Sequence, residues 1–313
     1  MARHLLTLDS LGRDGIHNTL ELAAHIKARR GTTMRTLEGG RVGMIFDKPS
    51  TRTRVSFEAA IWGLGMLPIV LRSDELQIGR GETIADTARV LSRYLSALVI
   101  RTFDQSKVEE LARYSSVPVI TALTDDHHPC QALGDVMTLQ EEFGELRGLR
   151  VAFVGDGNNV CHSLIQAAGY MGFNLAIATP RGFEPKPEIV AAARANCVTS
   201  GGAIELGHEP AAAVRGADAV YTDVWASMGQ EAERQERARV FAGYCADSAL
   251  MALAAPRAIF MHCLPAHRGD EVTDEVMDGP QSRVFDEAEN RWYTQQALLY
   301  LLITGEERWE RLS

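Results

Sequence analysis

The densest group of anion-binding side chains lies in residues 46–60, where a strand end, Pro49, hydroxyl residues and an apolar-periodic stretch follow one another. This order predicts a strand-to-helix turn with a hydroxyl N-cap. The first-turn N–H groups of a helix lack intrahelical partners, and the helix dipole favours negative charge there. Two arginines and three hydroxyls in residues 50–54 add donors, so the segment predicts a phosphate site. An ordinary capped helix is the alternative, and no Walker A pattern supports nucleotide triphosphate chemistry.

A second polar cluster lies in residues 125–133, directly after a predicted strand. Two aspartates and two histidines could suggest a metal site, but neither histidine pairs at helical i, i+4 spacing with another ligand. His128 and Gln131 are three residues apart, so on the first turn of a helix they would face one ligand together. Loop histidines that cap a helix are the alternative interpretation.

The turn at residues 155–160, Gly-Asp-Gly-Asn-Asn-Val, resembles the opening of a dinucleotide-binding fingerprint. Its third glycine is replaced by Val160, and Asn158 and Asn159 stand where a pyrophosphate would need room. The next strand also ends without the acidic residue that binds a ribose. We therefore predict a Rossmann-like turn that binds a small polar ligand.

Two further polar segments, residues 221–229 and 261–269, follow apolar strands. Asp223 and Cys263 therefore fall at the carboxyl ends of strands, where open α/β sheets bind ligands. For Cys263 taken alone, a buried structural thiol is at least as good an interpretation as a reactive one.

These segments need a scaffold that brings strand ends together. Short runs rich in Val and Ile alternate with stretches of helical period, which is typical of buried parallel strands with crossover helices. We predict an α/β fold of two domains, each with a mainly parallel sheet flanked by helices, joined by interdomain helices. The predicted strands, four in each half, are residues 42–46, 69–71, 98–101 and 117–122, then 151–155, 175–178, 219–223 and 259–263. Helices are predicted at residues 129–143 and 288–303.

Length and composition limit the class of protein. The 313 residues suffice for two domains that close their cores without disulfides. A net charge of −9 opposes binding to nucleic acid and to anionic membranes, so an anionic ligand needs a local arginine cluster. Five widely spaced cysteines without a C-x-x-C pair indicate a reducing compartment. With no signal pattern at the N-terminus and no apolar run near the ~20 residues that span a bilayer, we expect a cytoplasmic protein.

Five motifs, in this order, resemble those of the ornithine carbamoyltransferases of the anabolic bacterial type. They are Ser-Thr-Arg-Thr-Arg (50–54), His-Pro-Cys-Gln (128–131), Asp-Gly-Asn-Asn (156–159), Asp-Val-Trp-x-Ser-Met-Gly (223–229) and His-Cys-Leu-Pro (262–265). The resemblance extends from Leu5 to Arg291. It implies transfer of the carbamoyl group of carbamoyl phosphate to the δ-amine of L-ornithine, giving L-citrulline and phosphate in arginine biosynthesis. It also implies a homotrimer or an assembly of trimers, with neither a metal nor an organic cofactor.

The resemblance further implies three regions: a carbamoyl-phosphate-binding domain in residues 1–132, a Rossmann-like ornithine-binding domain in 133–286, and a C-terminal helix in 287–313 that packs back across both. Carbamoyl phosphate would be bound by Ser50, Thr51, Arg52, Thr53, Arg101, His128, Gln131 and Arg291, with Gln77 reaching in from a neighbouring subunit. Ornithine would be held by Asn159, Asp223, Ser227, Met228, Cys263 and Leu264. The expected catalytic residues are Arg101, His128, Asp223 and Cys263. The first two would polarise the carbamoyl group, and the last two would orient and deprotonate the amine.

Three alternatives are open at this point. Another carbamoyltransferase could use putrescine, aspartate or an acylated ornithine, although an aspartate enzyme would want extra cationic groups for the second carboxylate. An NAD-dependent oxidoreductase would also explain two α/β halves, but the broken glycine fingerprint argues against it. A binding module without catalytic activity would be expected to lack an arginine or Cys263, and the sequence retains them.

Overall fold

The computed structural model describes residues 3–29, 35–72, 76–77, 81–226 and 234–306. The chain divides into two compact units, of which the first comprises Met1–Gly134 with Glu289–Ser313 and the second comprises Asp135–Ala288. No helix in the part of the chain that is described is long and apolar enough to cross a membrane.

The first unit contains a parallel sheet in the order β2-β1-β3-β4. Its strands are β1 (Arg41–Phe46), β2 (Leu67–Arg72), β3 (Ala97–Arg101) and β4 (Val119–Leu123). Its helices are α1 (Gly12–Ala28), α2 (Thr51–Gly63), α3 (Ile84–Tyr94) and α4 (Gln105–Tyr114), after a 3-10 turn at Leu8–Ser10. Helix α5 (Pro129–Phe143) begins in this unit, and α12 (Val284–Thr304) ends in it.

The second unit contains a parallel sheet in the order β7-β6-β5-β8-β9. Its strands are β5 (Arg150–Val154), β6 (Asn174–Ala178), β7 (Ala203–Gly207), β8 (Ala219–Thr222) and β9 (Ile259–His262). Its helices are α6 (Asn159–Met171), α7 (Pro187–Ser200), α8 (Pro210–Val214), α9 (Arg234–Val240), α10 (Ser248–Met251) and α11 (Asp274–Met277). The α/β fold and the parallel sheets confirm the fold predicted from the sequence.

Burial explains why most strands were recognisable. Every residue of β3 and of β4 is buried, so each strand is a nearly unbroken apolar run, as parallel strands covered on both faces require. The prediction of four strands in the second half was wrong, because β7 is a fifth. This edge strand buries only Ile204 and exposes Glu205, so it leaves no apolar run in the sequence.

In each sheet, the order in which strands are added along the chain reverses direction at one pair of neighbouring strands. In the first sheet β1 lies beside β3, and strands are added outwards on either side of this pair. In the second sheet β5 lies beside β8 in the same way. Ligands of open α/β sheets bind outside the carboxyl ends of such strand pairs. The segments after β1 and β3, and those after β5 and β8, are therefore where polar side chains should carry function.

Candidate active site

In the first unit, the N-terminal turn of α2 follows β1 directly. Ser50 is the N-cap, and its Oγ accepts a hydrogen bond from Thr53 N at 3.2 Å. Arg291 of α12 donates from Nη2 to Thr53 Oγ1 at 2.8 Å, which leaves the hydroxyl hydrogen of Thr53 to donate to a ligand. Arg52 is half-buried in the same turn, whereas Arg54 is exposed and pairs with a glutamate one turn along the helix. The turn therefore combines the backbone N–H groups of a first helical turn, hydroxyls and guanidinium groups.

Arg101 ends β3, the strand beside β1, and His128 precedes α5. Both side chains are buried, with 7% and 5% of their surface exposed. Burial, followed by the charges of Arg291, Arg101 and Arg52, lowers the pKa of His128 well below its usual value. The imidazole is therefore neutral at pH 7 with three guanidinium groups near it. This arrangement suits a multiply charged anion that also presents a polar group needing a neutral hydrogen-bond partner.

The first turn of α5 completes the cluster. Gln131 is buried, and its N–H donates to His128 O at 3.0 Å. Thr51 opens α2 and is exposed. Cys130 lies between His128 and Gln131 in the chain, but its Sγ donates to Thr121 O at 3.4 Å, and burial raises its pKa to about 12. Cys130 is therefore a structural thiol.

In the second unit, the turn between β5 and α6 contacts the end of β8. Asn158 is the N-cap of α6, and its Oδ1 accepts hydrogen bonds from Val160 N at 3.0 Å and Cys161 N at 3.2 Å. Its Nδ2 donates to Asp223 Oδ2 at 2.7 Å. One asparagine therefore caps the start of the helix and fixes the carboxylate that follows the neighbouring strand.

Cys263 follows β9 and donates from Sγ to Asp223 Oδ1 at 3.0 Å. Burial, the charge of Asp223 and this hydrogen bond raise the pKa of Cys263 well above its usual value. The expectation that Cys263 helps to deprotonate an amine is not supported by these contacts, because a protonated thiol is a donor and not a base. Asp223 accepts hydrogen bonds on both carboxylate oxygens, so it is a fixed anion at the end of β8.

Asp223, His262 and Cys263 bring possible metal-ligand atoms within 4.8 Å of one another. His262, however, uses both ring nitrogens: Nδ1 accepts from Leu264 N at 2.8 Å, so Nε2 carries the hydrogen and donates to Glu271 Oε1 at 3.2 Å. A zinc or similar ion needs a free imidazole nitrogen and a thiolate. The donor set therefore fits a hydrogen-bonded network better than a metal centre.

The glycine turn of the second unit has no room for a pyrophosphate at Gly157. Its N–H donates to Phe183 O at 2.9 Å, and a Cβ built on it would lie 2.3 Å from Pro185 N. The backbone of residues 183–185 therefore occupies the space through which a dinucleotide would have to approach Gly157. Asp156 beside it is held by Arg237 at 2.7 Å. This geometry argues against a dinucleotide at the turn, and a site for a small ligand stays a prediction.

Two family models match the chain. Residues 3–141 match the carbamoyl-P binding domain of aspartate/ornithine carbamoyltransferase, and residues 147–302 match its Asp/Orn binding domain. The chain belongs to the aspartate/ornithine carbamoyltransferase family.

Full-length relatives agree with this carbamoyltransferase assignment. The ornithine carbamoyltransferase of Thermococcus kodakarensis is 51% identical over 97% of this chain and 97% of that protein. The solved ornithine carbamoyltransferase of Pyrococcus furiosus superposes with a TM-score of 0.94, at 50% identity, over 97% of this chain and 98% of that chain. The anabolic ornithine carbamoyltransferase of Campylobacter jejuni superposes with a TM-score of 0.91, at 38% identity, over 97% and 100% of the two chains.

Five further residues were expected from the resemblance to the carbamoyltransferases. Asn159 is the first residue of α6 and is half-buried, one position after the asparagine that contacts Asp223. Leu264 is half-buried with a φ of +56°, a left-handed conformation that costs a non-glycine residue about 1–3 kcal/mol and is frequent at functional sites. Ser227 and Met228 lie outside the described residues. Gln77 is described and exposed.

Sequence reasoning missed a group of side chains next to Asp223 and Cys263. Asn158 was noted only as an obstacle to a dinucleotide. Asp135 and Glu287 are fully buried and lie against the hydroxyl of Tyr221 on β8. One signal was available, because Asp135 interrupts an apolar segment of α5 that is buried from residue 129 to 139.

Proposed function

We propose that this protein transfers the carbamoyl group of carbamoyl phosphate to the δ-amine of L-ornithine, giving L-citrulline and phosphate. One observation carries the proposal: three guanidinium groups and the N-terminal turn of α2 lie around a neutral, buried His128. This cluster matches the anionic phosphate and the neutral carbamoyl group of one molecule. The names of relatives that are about half identical over nearly the whole chain support ornithine as the acceptor.

For carbamoyl phosphate, we infer that the phosphate lies on the first turn of α2 and the carbamoyl oxygen near His128. Phosphate ligands are Ser50, Thr51, Arg52 and Thr53, joined by Arg291 and by Gln77 of a neighbouring subunit. Carbamoyl ligands are Arg101, His128, Gln131 and Thr53. A carbonyl oxygen gains negative charge when the amine attacks, and fixed donors in a buried site stabilise that charge.

For ornithine, we infer that Asn159, Asp223, Ser227 and Met228 hold the α-amino and α-carboxylate groups. Cys263 and Leu264 would meet the δ-amine. A free alkylamine has a pKa of about 10.4, so presenting it neutral at pH 7 costs about 4–5 kcal/mol. Because the Cys263 thiol is already a donor to Asp223, we assign it an orienting role.

The reaction balances without a cofactor. The neutral δ-nitrogen forms a bond to the carbamoyl carbon, the bond from that carbon to the phosphate oxygen breaks, and phosphate departs with the electron pair. The proton lost by nitrogen goes to the departing phosphate or to Asp223. We further propose a cytoplasmic enzyme of arginine biosynthesis, a trimer or an assembly of trimers, in which the C-terminal region, residues 287–313, packs back across both domains.

The acceptor is tested by measuring citrulline and phosphate with ornithine, putrescine, aspartate and N-acetylornithine in parallel. We expect ornithine to give a kcat/KM at least 100-fold above the others, because rejecting a substrate that leaves buried polar groups unpaired is worth several kcal/mol. Equal or better use of another amine would overturn the assignment of ornithine. Absence of product with every amine would overturn the transferase assignment.

A further inference from the structure

A buried carboxyl pair lies in the second unit, outside the residues assigned to the reaction. Asp135 on α5 and Glu287 on α12 are both 0% exposed. The hydroxyl of Tyr221 lies 3.3 Å from Asp135 Oδ1 and 3.1 Å from Glu287 Oε1. Two carboxyl groups that contact one buried hydroxyl oxygen lie close to each other. Two ionised carboxylates this close in a buried site repel each other, so one of the two carries a proton.

The surroundings of Glu287 favour the proton on this side chain. Burial, followed by the charge of Asp135, raises the pKa of Glu287 well above its usual value. The second oxygen, Oε2, accepts from His262 N at 3.0 Å. Burial and the two carboxyl groups also raise the pKa of Tyr221, which therefore stays a donor. Asp135 is then the anion of the pair.

The two groups bonded to the pair belong to the strands that carry the candidate ornithine residues. Tyr221 is on β8, two residues before Asp223, and its ring stacks on Phe153 with centroids 5.8 Å apart. His262 is the last residue of β9 and directly precedes Cys263. The register pairs Thr222 of β8 with His262 of β9. A change at Asp135 or Glu287 would therefore shift both residues of the Asp223–Cys263 hydrogen bond.

We propose that Asp135 and Glu287 share one proton and act as positioning residues, holding Asp223 and Cys263 in place through Tyr221 and His262. The inference rests on the proposed function for its effect on ornithine, but not for the shared proton. The groups that face the pair are Tyr221 from β8, the backbone of His262 from β9, and Cys263 after it. Asp223, which follows β8, acts in turn on Tyr221 and Cys263. One anion in this buried pair is compatible with a cationic substrate nearby, whereas two would repel each other.

The proton shared by Asp135 and Glu287 is tested by measuring the unfolding equilibrium as a function of pH, without substrates. Glu287→Gln keeps the shape of a protonated glutamate and can donate to Asp135, but it cannot ionise. Unfolded glutamate ionises near pH 4.3, and the folded pair keeps its proton to higher pH. The wild-type unfolding equilibrium constant should therefore rise relative to that of Glu287→Gln by up to about tenfold per pH unit above pH 4.3. Asp286→Asn, an exposed neighbour on α12, should follow the wild type. A constant ratio between wild type and Glu287→Gln from pH 5 to 9 would overturn the shared proton.

Positioning is tested by kinetics. Glu287→Gln should keep kcat and both KM values within about threefold at pH 7, whereas Glu287→Ala should raise the ornithine KM at least tenfold and leave the carbamoyl phosphate KM within twofold. If the alanine variant does not fold, Tyr221→Phe replaces it, because the ring stays and only the hydroxyl is lost. An unchanged ornithine KM in the folded variant would overturn the positioning role. A wild type that makes no citrulline would overturn the proposed function while leaving the unfolding result to decide the proton.

Discussion

At the scale of single residues, protonation states decide what each group can do. Burial and three nearby arginines keep His128 neutral, and burial next to Asp223 keeps the Cys263 thiol protonated. The sequence could place both residues at a site, because they follow strands in recognisable motifs. It could not give their protonation states, which depend on charges brought from distant parts of the chain, such as Arg291 beside His128.

Arg52→Ala should weaken carbamoyl phosphate binding about 10- to 100-fold without unfolding the protein. The reason is that a charge-assisted hydrogen bond contributes about 1.5–3 kcal/mol, and this side chain is half-buried at a helix terminus outside the core. Calorimetric titration measures the change. Arg54→Ala is the matched control, since Arg54 is exposed and pairs with Glu58 at 2.9 Å. Equal affinity of the two variants would contradict the phosphate site.

Substitutions of Cys263 distinguish a thiol that donates a hydrogen bond to Asp223 from a thiolate that acts as a general base. Cys263→Ser keeps a hydrogen on the atom that contacts Asp223, whereas Cys263→Ala removes it. We therefore expect the serine variant to retain at least tenfold more kcat/KM for ornithine than the alanine variant, with the carbamoyl phosphate KM unchanged in both. For all three proteins kcat/KM should rise from pH 6 towards pH 9, because the neutral amine is the reactive form. Equal losses of kcat/KM for ornithine in the two variants would indicate that the thiolate is the functional form.

His128→Gln should change how stability depends on acid pH. The pKa of His128 is lowered in the folded state, so the unfolded chain takes up a proton near pH 6.5 that the folded chain does not. Wild-type stability is therefore lost as pH falls below about 6.5, by at most about 1.4 kcal/mol per pH unit, and the variant lacks this loss. Denaturant unfolding at pH 5, 6.5 and 8 measures it, with exposed His17→Gln as control. Parallel curves for all three proteins would contradict a neutral His128.

At the scale of elements, the sequence predicted the buried strands, the half-buried β2 and the turns that follow them. It missed β7, which is exposed on most of its residues, and it missed the buried acids. Tyr221 is 86 residues from Asp135 and 66 from Glu287 in the chain, so their contact depends on how α5 and α12 pack on the strand. Such a contact leaves no periodic pattern in the sequence.

Gly157→Ala should destabilise the second unit, because the added Cβ would meet the backbone of residues 183–185, including Pro185 N at 2.3 Å. Overpacking of this kind costs about 1–3 kcal/mol. The control is Gly207→Ala on β7, where the nearest atom to an added Cβ is Ile177 O at 3.9 Å. Thermal unfolding of both variants measures the difference. Equal melting temperatures would show that the loop moves away freely.

At the scale of the whole molecule, the net charge of −9 attracts a cationic acceptor and repels an anionic donor. Carbamoyl phosphate therefore needs the local cluster of Arg52, Arg101 and Arg291. The proposed trimer adds Gln77, which is exposed in this chain. A residue supplied by a neighbouring subunit makes activity depend on assembly.

Gln77→Ala and Arg101→Ala proteins should each be inactive alone and regain part of the activity when mixed under conditions of subunit exchange. Mixed trimers can join an intact Gln77 from one chain to an intact Arg101 from another. Light scattering should give a mass that is a multiple of three chains. Confirmed exchange without recovered activity would contradict the role of Gln77 in a neighbouring site.

The central claim is tested most directly by following the carbamoyl carbon itself. Carbamoyl phosphate labelled with ¹³C at the carbonyl is supplied with L-ornithine, and the products are followed by NMR while phosphate is measured. We expect the label to appear in the ureido carbon of citrulline in a one-to-one ratio with released phosphate. Label that accumulates in bicarbonate, or phosphate release that does not depend on ornithine, would contradict it.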